Sequence, residues 1–393
     1  MIKVSKLLDN LLPSAMQRSL NIKERHISFA LGMPATELLP IQEITKNTVL
    51  QSSLQYSPPK NELKQHIVSL MHNRGVKCNT QNIFLTSGAQ QGIALLTKII
   101  VEANSSVISP NLVYPGFIQV AQSLNTRILP VRSPSDHEII DLEHLRFLLQ
   151  EVDDKPSLIY MVADGNNPKG INLSLKDRRS LIKVSQKYNI PIIEDDAYGF
   201  LNYENNSLPS LKSIDQENVC YVGSFSKILA PTLRVGWLVV PDYLLPKLSV
   251  LKESYDINTS TFSQILLNQF MNNKLLSPHL QHIKKVYKAK RDLMHQCLEK
   301  HISNYAKWQI PDNGFFFWLN FYEKNMDVTE LFNIALEHKI SIVPGCDFEV
   351  KKNGEGNRSL RLNFSYPSYD EIESGIATLA SVIKLYLKRN NCC

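Results

Sequence analysis

Lys227 is the residue whose surroundings in the sequence point most clearly to chemistry. It lies in Ser224-Phe225-Ser226-Lys227, between two apolar runs that predict buried strands. Burial in an apolar cleft disfavours the charged form of a lysine, so its pKa falls and the amine can attack a carbonyl group. Ser224, Ser226 and Arg234 are residue types that bind phosphate, Arg234 as a permanently charged fork. The stretch therefore predicts a reactive amine beside a phosphate site, although an isolated Ser-x-Ser-Lys is more typical of a solvated loop.

Three further segments follow predicted strands and carry groups that could hold a ligand. Gly88, Ala89 and Gln90 begin a predicted helix, where backbone N–H groups can face an anion such as phosphate. Tyr114 is held by a Pro-Gly turn and could stack on a flat ring or be a surface tyrosine. Asn167 lies in Asn-Pro-x-Gly, a frequent turn, where its side chain could donate to a ligand oxygen.

Two charged positions complete the set. The run Glu194-Asp195-Asp196-Ala197-Tyr198 ends a predicted core strand, and carboxylates are rarely buried unless paired. A carboxylate there suits a metal or a protonated ring nitrogen, and the lack of a histidine at ligand spacing disfavours the metal. Arg361 lies in the apolar run Leu360–Phe364, which predicts either a clamp on a carboxylate or an arginine that extends to solvent.

These segments need a scaffold that brings the ends of strands together. Short apolar runs rich in β-branched residues alternate with helical stretches or longer connections, at Ile83–Leu85, Val107–Ser109, Ile128–Val131, Leu158–Val162, Ile192–Glu194, Val219–Gly223 and Gly236–Val240. The pattern predicts an α/β fold with a seven-stranded, mostly parallel sheet and helices on both faces. Ligands of such sheets bind at the carboxyl ends of the strands, where the polar segments fall.

The pattern becomes mainly helical after Pro241. Ser277-Pro278 predicts the start of a long amphipathic helix, with Ser277 as N-cap. We place a domain boundary at this helix. The predicted division is an N-terminal arm and part of a small domain (1–50), a large ligand-binding domain (51–280) and a small α+β domain (281–393).

Composition narrows the class of protein. The 393 residues are 43% hydrophobic and 20% charged, which is ordinary for a globular protein. A net charge of +6 without basic blocks argues against nucleic-acid binding. The six cysteines form no Cys-x-x-Cys pair, which indicates a reducing compartment. No long apolar span or signal peptide is present, so a soluble cytoplasmic protein without membrane contact is expected.

Taken together, the chain resembles the fold-type I, class I/II aminotransferases that use pyridoxal 5′-phosphate, and within them the aminoadipate/kynurenine aminotransferase branch. The pieces that carry the resemblance occur in family order and cover nearly the whole chain. They are Leu54-Gln55-Tyr56-Ser57-Pro58, Thr86–Gly92, Gly165-Asn166-Asn167-Pro168-x-Gly170, Ile193-Glu194-Asp195-Asp196-x-Tyr198, Ser224–Ile228 and Leu233-Arg234-x-Gly236.

The resemblance implies a role for each candidate. Lys227 would form the Schiff base with the cofactor and move the proton at the substrate Cα, through an external aldimine and a quinonoid, while Asp195 keeps the ring nitrogen protonated. The remaining cofactor contacts would come from Tyr114 (stacking), Asn167 and Tyr198 (ring hydroxyl), and Gly88, Ala89, Gln90, Ser224, Ser226 and Arg234 (phosphate). Tyr56 would reach the phosphate of a neighbouring subunit in a homodimer. Arg361 would bind the α-carboxylate of an amino-acid substrate, with Gly32 and Asn167 beside it.

The departures from the family pattern concentrate on the substrate side. Ala89 replaces a serine, Lys169 the threonine of Asn-Pro-Thr-Gly, and Leu31 the first glycine of a pair that lines the pocket. The loop after Tyr56 is about two residues short, and Gln17 stands in place of an arginine that helps to recognise substrates. The loss of this arginine's positive charge from the substrate pocket argues against a dicarboxylic substrate. It leaves room for an amino acid with a neutral or cationic side chain.

Three hypotheses follow. The first is an aminotransferase that gives a 2-oxo acid. The second keeps the cofactor but eliminates a group from Cβ or Cγ, or closes a ring, on a substrate such as a hydroxylated arginine. The third is an inactive relative that serves as a regulator or binding module, which the joint retention of Lys227, Asp195, Asn167 and Arg361 disfavours.

Overall fold

A large sheet forms the centre of the molecule. The computed structural model describes residues 26–45, 57–102, 104–204, 206–352 and 354–390. Seven strands make up this sheet, in the spatial order β2-β8-β7-β6-β5-β3-β4. Their bounds are β2 Ile83–Thr86, β3 Ser106–Pro110, β4 Arg127–Val131, β5 Ile159–Met161, β6 Ile192–Asp196, β7 Val219–Ser224 and β8 Gly236–Val239. The predicted seven-stranded sheet is thereby confirmed.

The direction of the strands determines which polar segments meet at one edge of the large sheet. All neighbouring strands from β4 to β7 pair in parallel, whereas β8 pairs antiparallel with both β7 and β2. Strand β2 therefore runs in the same direction as the parallel set. The residues that follow β2, β3, β5, β6 and β7 consequently meet at a single edge of the sheet, as expected for an α/β fold.

Helices cover this sheet and build the rest of the molecule. Their bounds are α1 Ile41–Thr45, α2 Asn61–Asn73, α3 Ala89–Ile100, α4 Pro115–Ser123, α5 Leu142–Glu151, α6 Leu175–Tyr188, α7 Leu211–Ile214, α8 Leu245–Asp256, α9 Thr261–Asn272, α10 Leu276–His301, α11 Val328–Glu337 and α12 Tyr369–Arg389. Apolar side chains on both faces of the sheet are buried under them, for example Ile193 and Val222 on one face and Ile192 and Tyr221 on the other, none of which is exposed. Burial on both faces explains why the central strands read as continuous apolar runs.

The start of α10 corrects one expectation. The helix begins at Leu276, with Leu275 at the N-cap and no side-chain capping bond. The predicted cap residue Ser277 thus lies inside the first turn. Pro278 is tolerated there because the first N–H groups of a helix have no partner within it.

Two smaller sheets take most of their strands from the second half of the chain. One has the order β12-β13-β10-β9, and the other pairs β1 near the N-terminus with β11 in parallel. Their bounds are β1 Ile27–Ser28, β9 Ala306–Lys307, β10 Phe316–Phe321, β11 Ile340–Ser341, β12 Val343–Pro344 and β13 Ser359–Asn363. The pairing of β1 with β11 ties the N-terminal segment to the C-terminal part of the chain. The domain boundaries given above stay a prediction.

Buried ion pairs connect the segment that follows β5 with the end of β6. Asp164 accepts hydrogen bonds from Arg74 at 2.5 Å and from Arg178 at 2.6 Å, and Arg74 also pairs with Asp196 at 3.0 Å. All four side chains are at most 5% exposed. The two arginines hold the pKa of Asp164 below its usual value, against the opposing effect of burial. The network fixes the ends of β5 and β6 relative to each other.

In the described ranges, none of the helices has the length and hydrophobicity of a membrane-spanning segment. No group of three or more His, Cys, Asp or Glu side chains in those ranges has an arrangement that could hold a metal ion.

Candidate active site

The ends of the strands surround a cavity of about 570 Å³. Most of the residues predicted from the sequence line it: Gly32, Ala89, Gln90, Tyr114, Asn167, Asp195, Tyr198, Ser224, Ser226, Lys227, Arg234 and Arg361. Gly88 lies immediately beside it, at the N-cap of α3. Gln17 and Tyr56 fall outside the described residues, so their roles stay predictions.

Lys227 lies on the turn after β7 and faces the cavity. Its Nζ donates to the carbonyl oxygen of Gly32 at 2.7 Å. Burial lowers the pKa of Lys227 to about 8, with help from the nearby charges of Arg361 and Arg234. An amine with this pKa is partly unprotonated near neutral pH, which is the form that attacks a carbonyl.

Asp195 lies one residue before the end of β6 and lines the cavity. Its Oδ2 accepts a hydrogen bond from the hydroxyl of Tyr160 at 2.6 Å. Its Oδ1 is buried without a partner among the described residues. Burial raises the pKa of Asp195 to about 6, and Asp196 adds to the rise while Tyr160 and Lys227 oppose it. A buried carboxylate oxygen without a donor calls for one, and a protonated ring nitrogen would supply it.

One end of the cavity fits a phosphate. Gly88 has φ +88° and precedes α3, whose first turn has no side-chain cap. A Cβ on Gly88 would lie 2.3 Å from Nη2 of Arg234, so only glycine lets this arginine approach the start of the helix. Ser224 Oγ donates to Ser226 Oγ at 3.0 Å, and Arg234 Nη1 lies 3.4 Å from the same Ser226 oxygen. Helix N–H groups, two hydroxyls and one guanidinium form an anion site.

The side chain of Gln90 makes a contact within the protein. Its Nε2 donates to the carbonyl oxygen of Gly116 at 2.9 Å, next to Tyr114. The backbone N–H of Gln90 lies in the first turn of α3, where it can face an anion. The family resemblance implies phosphate contacts from both the backbone and the side chain of Gln90, and both stay predictions.

Tyr114 and Tyr198 provide aromatic and hydroxyl groups in the cavity. Burial is the main cause that raises the pKa of Tyr114 to about 12, and it also raises the pKa of Tyr198. Both phenols are therefore protonated and can donate hydrogen bonds. Tyr198 packs edge-on against Phe315 and Phe316, which fixes its ring.

Arg361 forms the other charged end of the cavity. Its guanidinium lies between the rings of Phe316 and Phe348, at 4.2 and 4.9 Å from their centroids. Nη1 donates to Asn167 Oδ1 at 2.8 Å and Nη2 to the carbonyl oxygen of Ala30 at 2.7 Å, while Nε is buried and has no partner among the described residues. Burial lowers the pKa of Arg361 to about 10. A cation held this rigidly, with an unused donor, is suited to bind a carboxylate.

The N-terminal strap, residues 30–37, contacts both Lys227 and Arg361 through its backbone carbonyl groups. Besides its contacts with Arg361 and Lys227, the carbonyl oxygen of Met33 accepts from Ser365 Oγ at 2.6 Å. Lys290, which is fully buried, pairs with Glu37 at 2.8 Å. Gly32 fits in the strap because a side chain there would approach Phe316 to 2.8 Å. The strap is thus held by the C-terminal part of the chain while its carbonyl groups face the site.

Sequence reasoning missed Tyr160, Phe316 and Phe348. Phe316 lies in the run Gly314-Phe315-Phe316-Phe317-Trp318, whose apolar residues predict a core strand. Nothing in this run indicates that one of its rings packs against a guanidinium. Tyr160 was one residue of an apolar strand, and only the pairing of β5 with β6 places it beside Asp195.

Several known proteins that are similar to this chain are aminotransferases. Residues 27–379 match the family "Aminotransferase class I and II". Aromatic-amino-acid aminotransferase 1 of Thermococcus litoralis is 30% identical over 376 residues, which cover 92% of this chain and 89% of that protein.

Solved structures agree with this match. The α-aminoadipate aminotransferase of Thermus thermophilus, complexed with N-(5′-phosphopyridoxyl)-L-leucine, has a TM-score of 0.88 at 28% identity and 98% coverage of both chains. The kynurenine aminotransferase of Pyrococcus horikoshii has a TM-score of 0.90 at 27% identity, with coverages of 98% of this chain and 97% of that one. The chain therefore belongs to the class I and II aminotransferases and is an enzyme that uses pyridoxal 5′-phosphate.

Proposed function

We propose that this aminotransferase acts on α-amino acids with a neutral side chain, and that Arg361 binds their α-carboxylate. One observation carries the proposal. Every charged residue among the described residues that line the cavity already has a role, namely Lys227, Asp195, Arg234 and Arg361. The lining near them is otherwise apolar or uncharged, with Met33, Ile93, Val162, Pro231, Thr232 and Phe316.

This lining favours neutral over charged side chains. A second carboxylate would need a further cation, and a cationic side chain would need an acid other than Asp195. Neither is present among the described residues of the cavity. The sequence had left a cationic substrate open, together with elimination or cyclisation of an arginine-like amino acid. The described lining gives that alternative no counter-charge.

The cofactor contacts divide among the residues already placed. When bound, pyridoxal 5′-phosphate supplies an aldehyde for the substrate amine and a protonated ring that withdraws electrons from Cα. Asp195 would hold the ring nitrogen, and Tyr114 would cover one face of the ring. Asn167 and Tyr198 would donate to the ring hydroxyl oxygen.

The phosphate would be held by the start of α3 and by side chains after β7. Backbone N–H groups of Gly88, Ala89 and Gln90 lie at the helix end, and Ser224, Ser226 and Arg234 close the other side. These positions agree with the roles implied by the family resemblance.

Lys227 would move the proton. Its amine, with a pKa lowered to about 8, can take the proton from the substrate Cα and would return it to the carbon on the other side of the substrate nitrogen. When Lys227 is not bound to the cofactor, its Nζ can donate to the carbonyl oxygen of Gly32, as observed. Arg361 and Asn167 would orient the substrate so that its Cα–H faces Lys227.

The substrate preference is tested by comparing amino acids of similar size. We expect the holoenzyme to convert leucine, methionine or phenylalanine with kcat/KM at least about tenfold above that for glutamate, 2-aminoadipate and arginine, because a buried unpaired charge costs more than 1.4 kcal/mol. The 2-oxo acids formed with a common acceptor are quantified by mass spectrometry. Higher kcat/KM for a dicarboxylic or cationic amino acid would contradict the proposed preference.

The proposed active unit is a homodimer in which Tyr56 of one subunit reaches the phosphate site of the other. Support comes from the surface of α8, α9 and their connection, where large apolar side chains are exposed. Val250, Tyr255, Ile257 and Phe262 are 69%, 57%, 59% and 46% exposed. Apolar groups gathered along one stretch of surface are typical of an interaction site.

Sedimentation velocity tests the dimer. We expect one species with twice the 44.8 kDa mass of the chain, and a shift to the 44.8 kDa species when Val250→Glu and Ile257→Glu are combined. The exposed substitution Phe147→Glu on α5 is the control, because Phe147 is 60% exposed but lies on a different helix. A monomeric wild-type holoenzyme would contradict the dimer.

A further inference from the structure

The hydroxyl of Tyr160 donates a hydrogen bond to Asp195, the carboxylate that faces the proposed position of the cofactor ring. Tyr160 lies in β5 and is not exposed to solvent. It pairs in register with Ile193 of the neighbouring β6. Asp195 follows Ile193 by two residues, so its side chain lies on the same face of the sheet. This register brings the phenol to Asp195 Oδ2 at 2.6 Å.

The ring of Tyr160 has little freedom to move away. It stacks on Phe117 of α4 with a centroid distance of 4.0 Å and an interplanar angle of 5°. Phe117 is also fully buried. The donor is therefore fixed by packing from the helix side and by strand pairing from the sheet side. A donor fixed in this way orients the acceptor that it binds.

The two oxygens of Asp195 are used unequally. Oδ2 is occupied by Tyr160, whereas Oδ1 is buried and has no partner in the described part of the chain. We propose that Tyr160 is a positioning residue that keeps the Asp195 carboxylate ionised and leaves Oδ1 available for the nitrogen of the cofactor ring. The inference rests on the proposed role of Asp195 and extends it to a residue that does not contact the cofactor.

Charge around Asp195 shows why such a donor is needed. Burial is the strongest influence on the carboxylate and favours its neutral form, and the adjacent Asp196 acts in the same direction. The hydrogen bond from Tyr160 is the largest effect that favours the ionised form of Asp195, and the positive charge of Lys227 is the next. Among the described residues, the titratable groups that influence the charge of Asp195 are Tyr160 from β5, Asp196 from β6, Lys227 from the turn after β7, and Tyr114 and Tyr198 from the turns after β3 and β6.

Asp196 cannot replace Asp195 in this role. Its carboxylate is engaged by Arg74 at 3.0 Å and by the hydroxyl of Tyr221 at 2.7 Å. Two neighbouring carboxylates on one strand thus each receive a tyrosine donor, but only Asp195 lines the cavity. The pair Tyr221–Asp196 offers a matched control for the pair Tyr160–Asp195.

The test measures the affinity of the apoprotein for pyridoxal 5′-phosphate as a function of pH, which needs no turnover. Wild-type affinity should fall as the pH drops through about 6, because Asp195 becomes protonated and can no longer accept from a protonated ring nitrogen. Tyr160→Phe removes only the hydroxyl and keeps the stacking on Phe117. Without the donor the pKa of Asp195 rises, so the fall in affinity should move up by about one pH unit. Tyr221→Phe should leave the midpoint in place.

Asp195→Asn supplies the reference, because the phosphate of the cofactor titrates in the same pH range. In this variant the fall assigned to Asp195 should disappear, and adding Tyr160→Phe should no longer shift a midpoint. An Asp195→Asn variant with wild-type affinity at every pH would overturn the role of Asp195 itself. A Tyr160→Phe variant whose affinity drops equally at every pH, with an unchanged midpoint, would overturn the inference and leave Tyr160 with a packing role.

A second variant tests the same point if Tyr160→Phe does not fold. Incorporation of 3,5-difluorotyrosine at position 160 keeps the shape of the side chain and makes the phenol a stronger donor. The midpoint should then move to lower pH, opposite to the shift with phenylalanine. An unchanged midpoint would contradict the inference.

Discussion

Lys227→Ala is expected to abolish amino-group transfer. The variant loses both the covalent link to the cofactor and the base at the substrate Cα, so kcat should fall by at least about 10³-fold. Lys227→Arg should be equally inactive, because a guanidinium keeps the charge but does not release a proton near neutral pH. Single-turnover kinetics and the visible absorption of the bound cofactor, which should change in both variants, provide the measurement.

A second buried lysine, Lys212, is the control that distinguishes a chemical role of Lys227 from a packing role. Lys212 is 2% exposed and donates to the carbonyl oxygens of Gln216 and Val219, away from the cavity. Lys212→Met should lower the stability of the protein while kcat and the cofactor spectrum stay as in the wild type. A Lys227→Ala protein that keeps the wild-type spectrum and turnover would show that another amine carries the reaction.

Arg361→Met is expected to have the second-largest effect, concentrated in kcat/KM. Truncating one partner of a buried charge pair costs about 2–5 kcal/mol, which corresponds to a loss of about 30-fold or more. Arg361→Lys keeps the charge but loses the planar fork between Phe316 and Phe348, so it should recover only part of the loss. Steady-state kinetics with a neutral amino acid provide the measurement.

The decarboxylated amine of the same substrate identifies the contact that is lost. It has no carboxylate for Arg361 to bind, so the wild type and Arg361→Met should process it with similar, low kcat/KM. An equal loss for the amino acid and the amine would mean that Arg361 supports the structure of the site and does not bind the carboxylate.

The residues predicted for the cofactor side of the site come together in the structure because they follow strands of one sheet. Once β5, β6 and β7 run in parallel, Asn167, Asp195 and Ser224 must meet at one edge. This follows from local patterns alone, since each apolar run and each turn can be recognised within about ten residues.

Contacts between distant segments were beyond such patterns. The register of β5 against β6 brings Tyr160 to Asp195, and nothing near Tyr160 in the sequence specifies that register. The same is true of the N-terminal strap, which contacts Lys227 and Arg361, residues about 200 and 330 positions away. The strap also shows where the substrate side of the site is built, in a segment whose position depends on the C-terminal part of the chain.

The most direct test of the proposed reaction is a single turnover without an amino acceptor. The holoenzyme is mixed with a neutral amino acid such as leucine, and the products are quantified by mass spectrometry. We expect one equivalent of pyridoxamine phosphate and one of the 2-oxo acid per active site. Consumption of the amino acid with pyridoxal 5′-phosphate regenerated, and with an eliminated or cyclic product, would contradict amino-group transfer.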